Sequence, residues 1–383
     1  MRLRKWELGL VLFFIVTSCN TNQKEKAFVT GNSPAKKINI STSDVTKEEI
    51  GNFLALDSYI VLSNEELLGE ISRVIIDKER IYLMDDTQKI LCYDMDGNVV
   101  FKIDQRGQGP HEYVHIGDFS IDPSLKKLFI YDDYLRKILV FNIHTGTWES
   151  EFSIRYMFPD KLAAVDGGFF FYSGDDRRVV DKDKQSFYLL YSKTGGQIDD
   201  CFFPHNAISS YYFGIGSSHP FFYNEDKLLY NNAFDSRVYL LTKDSITPLC
   251  DIELPNQLPM KRIEDKMGHM DLVRSGYSYG LDDIFISGDI IHFTFSKDGF
   301  VHSCYYDLES DKILFCGPRV LVDTRKNLPF YSLIRGVFDG KFYSILSPLN
   351  ILERKENHPE LFHEDLKDID PEDNYVIAFY KIV

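Results

Sequence analysis

The densest group of chemically capable residues in this chain is Gln105-Arg106-Gly107-Gln108-Gly109-Pro110-His111-Glu112-Tyr113. Gly107, Gly109 and Pro110 fix a tight backbone path. A base, a carboxylate and a phenol follow at once, with His115 two residues beyond. A His111/Glu112 pair is suited to the proton transfers of a hydrolase or lyase, and Arg106 and Tyr113 supply further ligand contacts. A simpler reading has the glycines and proline shaping a crossover, with Glu112 salt-bridged to Arg106.

A second candidate lies in the long insertion at about 255–280. Met260, Ile263, Met267, Met270 and Val273 recur at helical spacing with charges between them, which predicts a short amphipathic helix. Such a helix either caps a site, presenting Arg274, Tyr277 and Tyr279, or packs its apolar face on the domain. The run Ser209-Ser210-Tyr211-Tyr212-Phe213-Gly214, with His219-Pro220 after it, could stack sugars or peptides, or simply fill a core. The acidic insertion at about 351–373 lacks the spacing of a calcium loop and reads as a solvated outer loop with a short helix.

No G-x-S-x-G elbow, H-E-x-x-H or P-loop is present in the sequence, and the ten histidines are scattered. No C-x-x-C or Cys/His cluster has zinc spacing. No cofactor is firmly implied, although a divalent metal remains open. Binding is therefore expected ahead of catalysis.

These residues are carried by a recurring four-strand phrase. Its first copy is Ile71–Asp77, Arg80–Asp85, Lys89–Asp94 and, after Asp96-Gly97, Val99–Ile103. Asp-Gly between apolar strands is a strong hairpin signal. A second copy spans Asp118 to Phe152, a third Lys161 to Phe203, a fourth His219 to Leu254 and a fifth Asp282 to Arg319. A sixth starts at Ser332 and ends with Asn374–Ile382, one strand short. Ser58–Leu62, ahead of the first copy, can supply that strand. The expectation is an all-β fold, a six-bladed β-propeller of four-stranded antiparallel blades, with the last blade closed by an N-terminal strand. Ligands then meet one mouth of the central channel, where innermost strands begin. Some propellers hydrolyse lactones with a calcium held by side chains from several blades. Asp77, Asp122 and Asp339 more simply make the turns after the first strands.

The phrase Arg106-Gly107-Gln108-Gly109-Pro110-His111-Glu112-Tyr113 and the ending Asp373–Lys381 resemble those of Bacteroidetes six-bladed β-propeller lipoproteins, which are similar to NHL-type propellers. The resemblance covers nearly the whole chain beyond its leader. It implies the fold and an envelope location, and little about activity.

The ends agree with that location. Arg2, Arg4 and Lys5, an apolar run from Leu8 to Val16, and Val16-Thr17-Ser18-Cys19 form a signal peptide over 1–18. The apolar run is too short to span a bilayer. The last four residues resemble a lipobox, so Cys19 is the expected lipidation site and the membrane a partner through that lipid. Residues 19–49 are expected to be the lipidated Cys and a flexible tether, and 50–383 a single propeller domain. The stretch after Cys19 is not acidic, unlike the surface-export signal of such lipoproteins, which favours a periplasm-facing anchor. The net charge is −15, and more negative still without the basic leader, which argues against nucleic acid as a partner. Five cysteines follow Cys19, and Cys304 and Cys316 flank a turn that would set them opposite each other. Two buried thiols are expected there ahead of a disulfide.

The functional expectation is a non-enzymatic ligand- or protein-binding module whose partner is an envelope protein or a small molecule. The alternatives are a propeller-type hydrolase or lyase and a sensor or assembly subunit. Arg106, His111, Glu112, Tyr113, His219, Arg274 and Tyr277 are the candidate contacts at the channel mouth.

Overall fold

Period-two alternation, aromatic and β-branched content and glycine-bearing turns make each sequence repeat a meander of antiparallel strands. The computed structural model describes residues 29–30, 35–45, 50, 53–154, 157–174, 187–205, 219–232, 235–259, 269–318, 333–357, 366 and 369–383. The leader, Cys19, the Tyr211-Tyr212 run, and Met260, Ile263 and Met267 lie outside them.

Three strands precede the repeats: β1 (Val29–Thr30), β2 (Lys36–Asn39) and β3 (Leu54–Val61). The first repeat folds as β4 (Ile71–Asp77), β5 (Arg80–Asp85), β6 (Ile90–Tyr93) and β7 (Val99–Ile103). The second comprises β8 (Ile116–Asp122), β9 (Lys127–Asp132), β10 (Lys137–Asn142) and β11 (Trp148–Ser153). The third comprises β12 (Lys161–Val165), β13 (Gly168–Tyr172), β14 (Phe187–Ser192) and β15 (Asp200–Pro204). The fourth has β16 (Phe221–Asn224), β17 (Lys227–Asn231), β18 (Arg237–Thr242) and β19 (Ser245–Glu253). After the helix α1 (His269–Arg274) come β20 (Ser278–Ser287), β21 (Ile290–Lys297), β22 (Phe300–Asp307) and β23 (Lys312–Pro318). The last strands are β24 (Ile334–Phe338), β25 (Lys341–Leu346) and β26 (Val376–Ile382), with the helix α2 (Pro348–Asn357) inserted after β25.

The first, second, third and fifth repeats are separate four-stranded antiparallel sheets. The fourth and sixth fall within one ten-stranded sheet, joined by a parallel contact of β16 with β24 at Asn224 and Val337. Its far edge is β3, paired antiparallel with β26 from Val376 opposite Val61 to Ile382 opposite Leu54. The architecture is a β-propeller, and its core lies between faces of adjacent sheets. One apolar cluster joins Tyr82 and Ile90 to Phe119 and Ile130; another joins Leu83 and Leu91 to Tyr343 and Phe379.

Turn glycines lock neighbouring sheets together. Gly97, Gly146 and Gly195 occupy corresponding turns at positive φ, a conformation that disfavours any Cβ. Each backs directly onto the outermost strand before it: Gly97 onto Val61 of β3, Gly146 onto the Phe101 ring of β7, Gly195 onto the Phe152 ring of β11. Gly146→Ala is expected to cost about 2 kcal/mol or more, combining left-handed strain with displacement of Phe101. Denaturant unfolding checks it, and an unchanged midpoint would show that the turn relaxes freely.

The span expected to be a tether contains an ordered strand. β2 runs parallel to β19, from Lys36 opposite Cys250 to Asn39 opposite Glu253, and the Ile40 N–H donates to the Glu253 carbonyl at 2.9 Å. The outer edge of β19 offers unpaired backbone groups, and Ile38 and Ile40 alternate inward to bury beside it. Cys304 and Cys316 do stand opposite each other on β22 and β23, as buried free thiols.

Buried histidine makes the fold acid-sensitive. His292, fully buried on β21, has Nδ1 2.9 Å from the Asp283 carbonyl and Nε2 3.4 Å from Ser303 Oγ. Burial pushes its imidazole down to about 3. Between that value and the ordinary one near 6.5, the unfolded chain binds a proton that the folded chain refuses. Stability therefore falls as pH drops below about 6.5, by on the order of 2–3 kcal/mol at pH 4.5. Urea melts at pH 7 and pH 4.5 should show the loss, and His292→Gln should shrink it.

Candidate functional site

The first strand of each repeat faces the axis, so its side chains decide what the channel can hold. The turn that ends it is marked by Asp77 in the first repeat, Asp122 in the second and Asp339 in the last. Asp122 shows why aspartate serves there. It accepts from Ser124 Oγ at 2.6 Å and Leu125 N–H at 3.2 Å, and reaches across to Gly167 N–H at 2.6 Å. Four residues before these three aspartates stand Arg73, Asp118 and Arg335. All three occupy the mouth end of the channel.

Asp118 is the hub. Its carboxylate pairs with Arg73 Nη1, accepts the Leu162 N–H at 2.8 Å and its neighbour Phe119 N–H at 2.9 Å, and lies 3.2 Å from His219 Nε2. Burial alone would raise this carboxyl, yet Arg73 and His219 hold it well below the usual carboxylate range. A fully buried carboxylate with this many donors is a paired charge rather than a free base. Arg73 packs its guanidinium between the Phe119 and Tyr223 rings, 5.4 and 5.6 Å from their centres. Its side chain is 8 % exposed, and its Nη2 is buried without a hydrogen-bond partner among the described residues.

His219 sits just before β16, with Nδ1 3.0 Å from the Phe221 carbonyl. Both ring nitrogens thus face acceptors, which favours the imidazolium. Burial and the Arg73 charge oppose it more strongly and push the pKa down to about 4, so the ring is neutral at pH 7.

Around these groups lies a cavity of about 110 Å³. Ile71–Val74 of β4 line one side; His219 and Phe221–Tyr223 a second; Asp282, Asp283 and Phe285 of β20 a third; Arg335, Tyr343 and Ile345 a fourth. Beneath it, nearer the turns, the Tyr223 hydroxyl meets Ser120 Oγ at 2.5 Å, which also accepts the Ala164 N–H at 2.8 Å. Asn224 Oδ1 accepts the Ile286 N–H at 2.6 Å where β16 joins β24. These contacts tie first strands together under the cavity and leave access from the mouth.

Of the residues proposed from sequence, only His219 lines this cavity. Arg106 is exposed and pairs with Asp104 at 3.5 Å. Glu112 does not bridge to Arg106: its Oε2 accepts the Gly109 N–H at 2.7 Å and fills the space beside Gly107, where a side chain would collide with it. His111 has positive φ and rests on Trp148, ring centres 3.5 Å apart, at the start of an outer strand. It therefore leans away from the channel, and Glu112 turns back into its own loop. Tyr113 is fully buried, donating to the Gln88 carbonyl at 2.7 Å and anchoring the crossover. His115 holds Asp133 at 2.7 Å on the same loop face. Arg274, exposed at the end of α1, and half-buried Tyr277 do not line the cavity. Among the described residues no three His, Cys, Asp or Glu side chains are grouped to hold a metal ion.

Residues 58–381 match the family described as a domain of unknown function, DUF4934, and the chain belongs to that family. No curated protein matches significantly. Among solved structures, a protein described as a presumed exported protein of Bacteroides fragilis NCTC 9343 superposes with a TM-score of 0.75 at 17 % identity, over 91 % of this chain and 100 % of that one. A member of the DUF4221 family from Bacteroides vulgatus ATCC 8482 gives a TM-score of 0.52 at 11 % identity, over 87 % of this chain and 99 % of that one. At these identities the likeness speaks for the propeller fold alone.

Proposed function

We propose that the protein is an exported, lipid-anchored binding module, non-enzymatic, that takes a small ligand at the mouth of its propeller channel. The observation that carries this reading is the cavity among Arg73, His219 and Arg335, lined by first strands of several repeats and tied off beneath by Tyr223, Ser120 and Asn224. A pocket walled by apolar rings with a few convergent polar groups is the usual form of a small-molecule site. Ser72 is exposed at its rim. In a thermal-shift panel of small metabolites, Ser72→Trp should abolish the shift of every compound that stabilises the wild-type chain. Retained shifts would remove the channel from the account.

The ring, in this reading, has six blades. The fourth and sixth remain distinct despite the contact at Asn224 and Val337, and β3 completes the last. Gly97 supports this, because it packs on β3 as Gly146 and Gly195 pack on the outer strands before them.

Export and lipidation rest on the leader and Cys19, and the presumed export of the Bacteroides fragilis protein is in keeping with them. Cys19→Ser should abolish palmitate labelling in cells, and persistent labelling would reject the anchor. β1 pairs at Ser245 and β2 ends opposite Glu253, so the chain from Cys19 joins β19 at the end remote from the mouth. An anchor there holds the mouth away from the membrane, toward the periplasm.

A further inference from the structure

We propose that Cys304 and Cys316 form a dithiol–disulfide couple, closed to a disulfide in the oxidising compartment that the leader addresses. This adds a modification site and rests on the export proposed above, not on the channel. The two residues face each other in the β22–β23 ladder, whose register is unbroken from His302 opposite Pro318 to Tyr305 opposite Phe315. Residues opposed in this way have Cα atoms about 4.5–5.5 Å apart, within the span a disulfide needs. Both side chains leave the same face of the sheet, and the thiols are within hydrogen-bonding reach of each other. The remaining described cysteines, Cys92, Cys201 and Cys250, stand on β6, β15 and β19, in three other repeats. Among the described cysteines, only Cys304 and Cys316 share a ladder.

The oxidant is itself a disulfide, of the glutathione or thiol–disulfide oxidoreductase class. One cysteine thiolate attacks a sulfur of that oxidant, forms a mixed disulfide and releases the oxidant's first thiol. The second cysteine attacks the protein sulfur of the mixed disulfide, closes the Cys304–Cys316 bond and releases the other thiol. Two electrons and two protons pass from the pair to the oxidant. Both thiols are fully buried in the folded chain, and burial together with the adjacent Cys316 pushes the Cys304 thiol well above its ordinary range. Little thiolate then exists in the packed sheet, so closure belongs to folding, before the pair is covered. The closed bond staples the outer hairpin of the fifth repeat. That hairpin seats the segment that follows the leader: Lys36 pairs with Asp311 in its turn at 2.8 Å, and Phe53 stacks on Phe315, ring centres 6.4 Å apart.

The test reduces and unfolds the full-length protein in urea, then refolds it in detergent with a glutathione redox buffer at pH 8. Remaining thiols are alkylated in urea with iodoacetamide. Lys312 lies between the two cysteines, so trypsin should leave two peptides joined only by the disulfide. Mass spectrometry should find that joined species in most of the protein, with Cys92 and Cys250 alkylated. The oxidised chain should melt about 5 °C above the chain refolded under reductant, because a loop of about a dozen residues is closed in the unfolded state. The double variant Cys304→Ala, Cys316→Ala should lose that redox-dependent difference, whatever its own melting temperature. Alkylated Cys304 and Cys316 after refolding in glutathione, or an equal difference in the double variant, would overturn the couple. Protein extracted from the cell envelope and alkylated at once should carry the same joined peptides. Closure in glutathione with free thiols in the envelope-derived chain would reject export to an oxidising compartment and leave the pairing standing.

Discussion

Asp118→Ala is expected to lower the free energy of unfolding by about 3–5 kcal/mol, the range for breaking a buried ion pair from one side. Removing this carboxylate strands the Arg73 guanidinium in a site where its side chain is 8 % exposed, and orphans the Leu162 N–H. The cost arises from what is left behind more than from the strength of the lost attraction. The double variant Arg73→Met, Asp118→Ala should therefore recover a large part of the loss, because a neutral side chain of similar reach asks for no partner. Chemical denaturation of the two variants and the wild type decides this. An alanine variant as stable as the wild type would mean that water replaces Asp118 freely.

The second large effect concerns the N-terminal strand β3. Deleting the chain through Leu62 should abolish cooperative unfolding. β3 pairs with β26 along its length, and its first residue, Leu54, is fully buried. Ile60 and Leu62 pack against the cluster that holds Leu83, Tyr343 and Phe379. Burial of three such side chains contributes on the order of 5 kcal/mol, comparable to the whole stability of a typical domain. Loss of β3 also bares the β26 edge and Gly97, a surface prone to pair with a second chain. Calorimetry with size-exclusion chromatography reads both effects. Unaltered monomeric melting would show that the N-terminal strand is dispensable to the fold.

The strands were legible because their signal is local. Asp96-Gly97, Thr145-Gly146 and Gly195-Gly196 announce turns by residue type, and Tyr- and Phe-rich runs announce the strands between them. The β2 addition was not legible, since Ile38 and Ile40 form too short a pattern within a polar stretch to signal burial against a partner some 210 residues away. The cavity was mostly not legible for a related reason. Motif density is highest at Arg106–Tyr113, where the chemistry-bearing types serve a crossover: Tyr113 is its anchor, Glu112 its internal cap, and His111 rests on Trp148. The cavity instead uses residues scattered over the chain, and Asp118 and His219 are 101 positions apart. One signal was present. Arg73 and Asp118 share a register, each just after a bulge and four residues before a turn aspartate, where the surrounding strand is otherwise mostly apolar.

The most direct test of the binding account is a crystal structure of the protein with its strongest stabilising small molecule. The account predicts the ligand in the channel, between β4 and the β20 wall, with the Tyr223–Ser120 contact intact beneath it. A ligand seated instead on the Arg106–Tyr113 loop or beside α1, with the cavity holding only solvent, would contradict it.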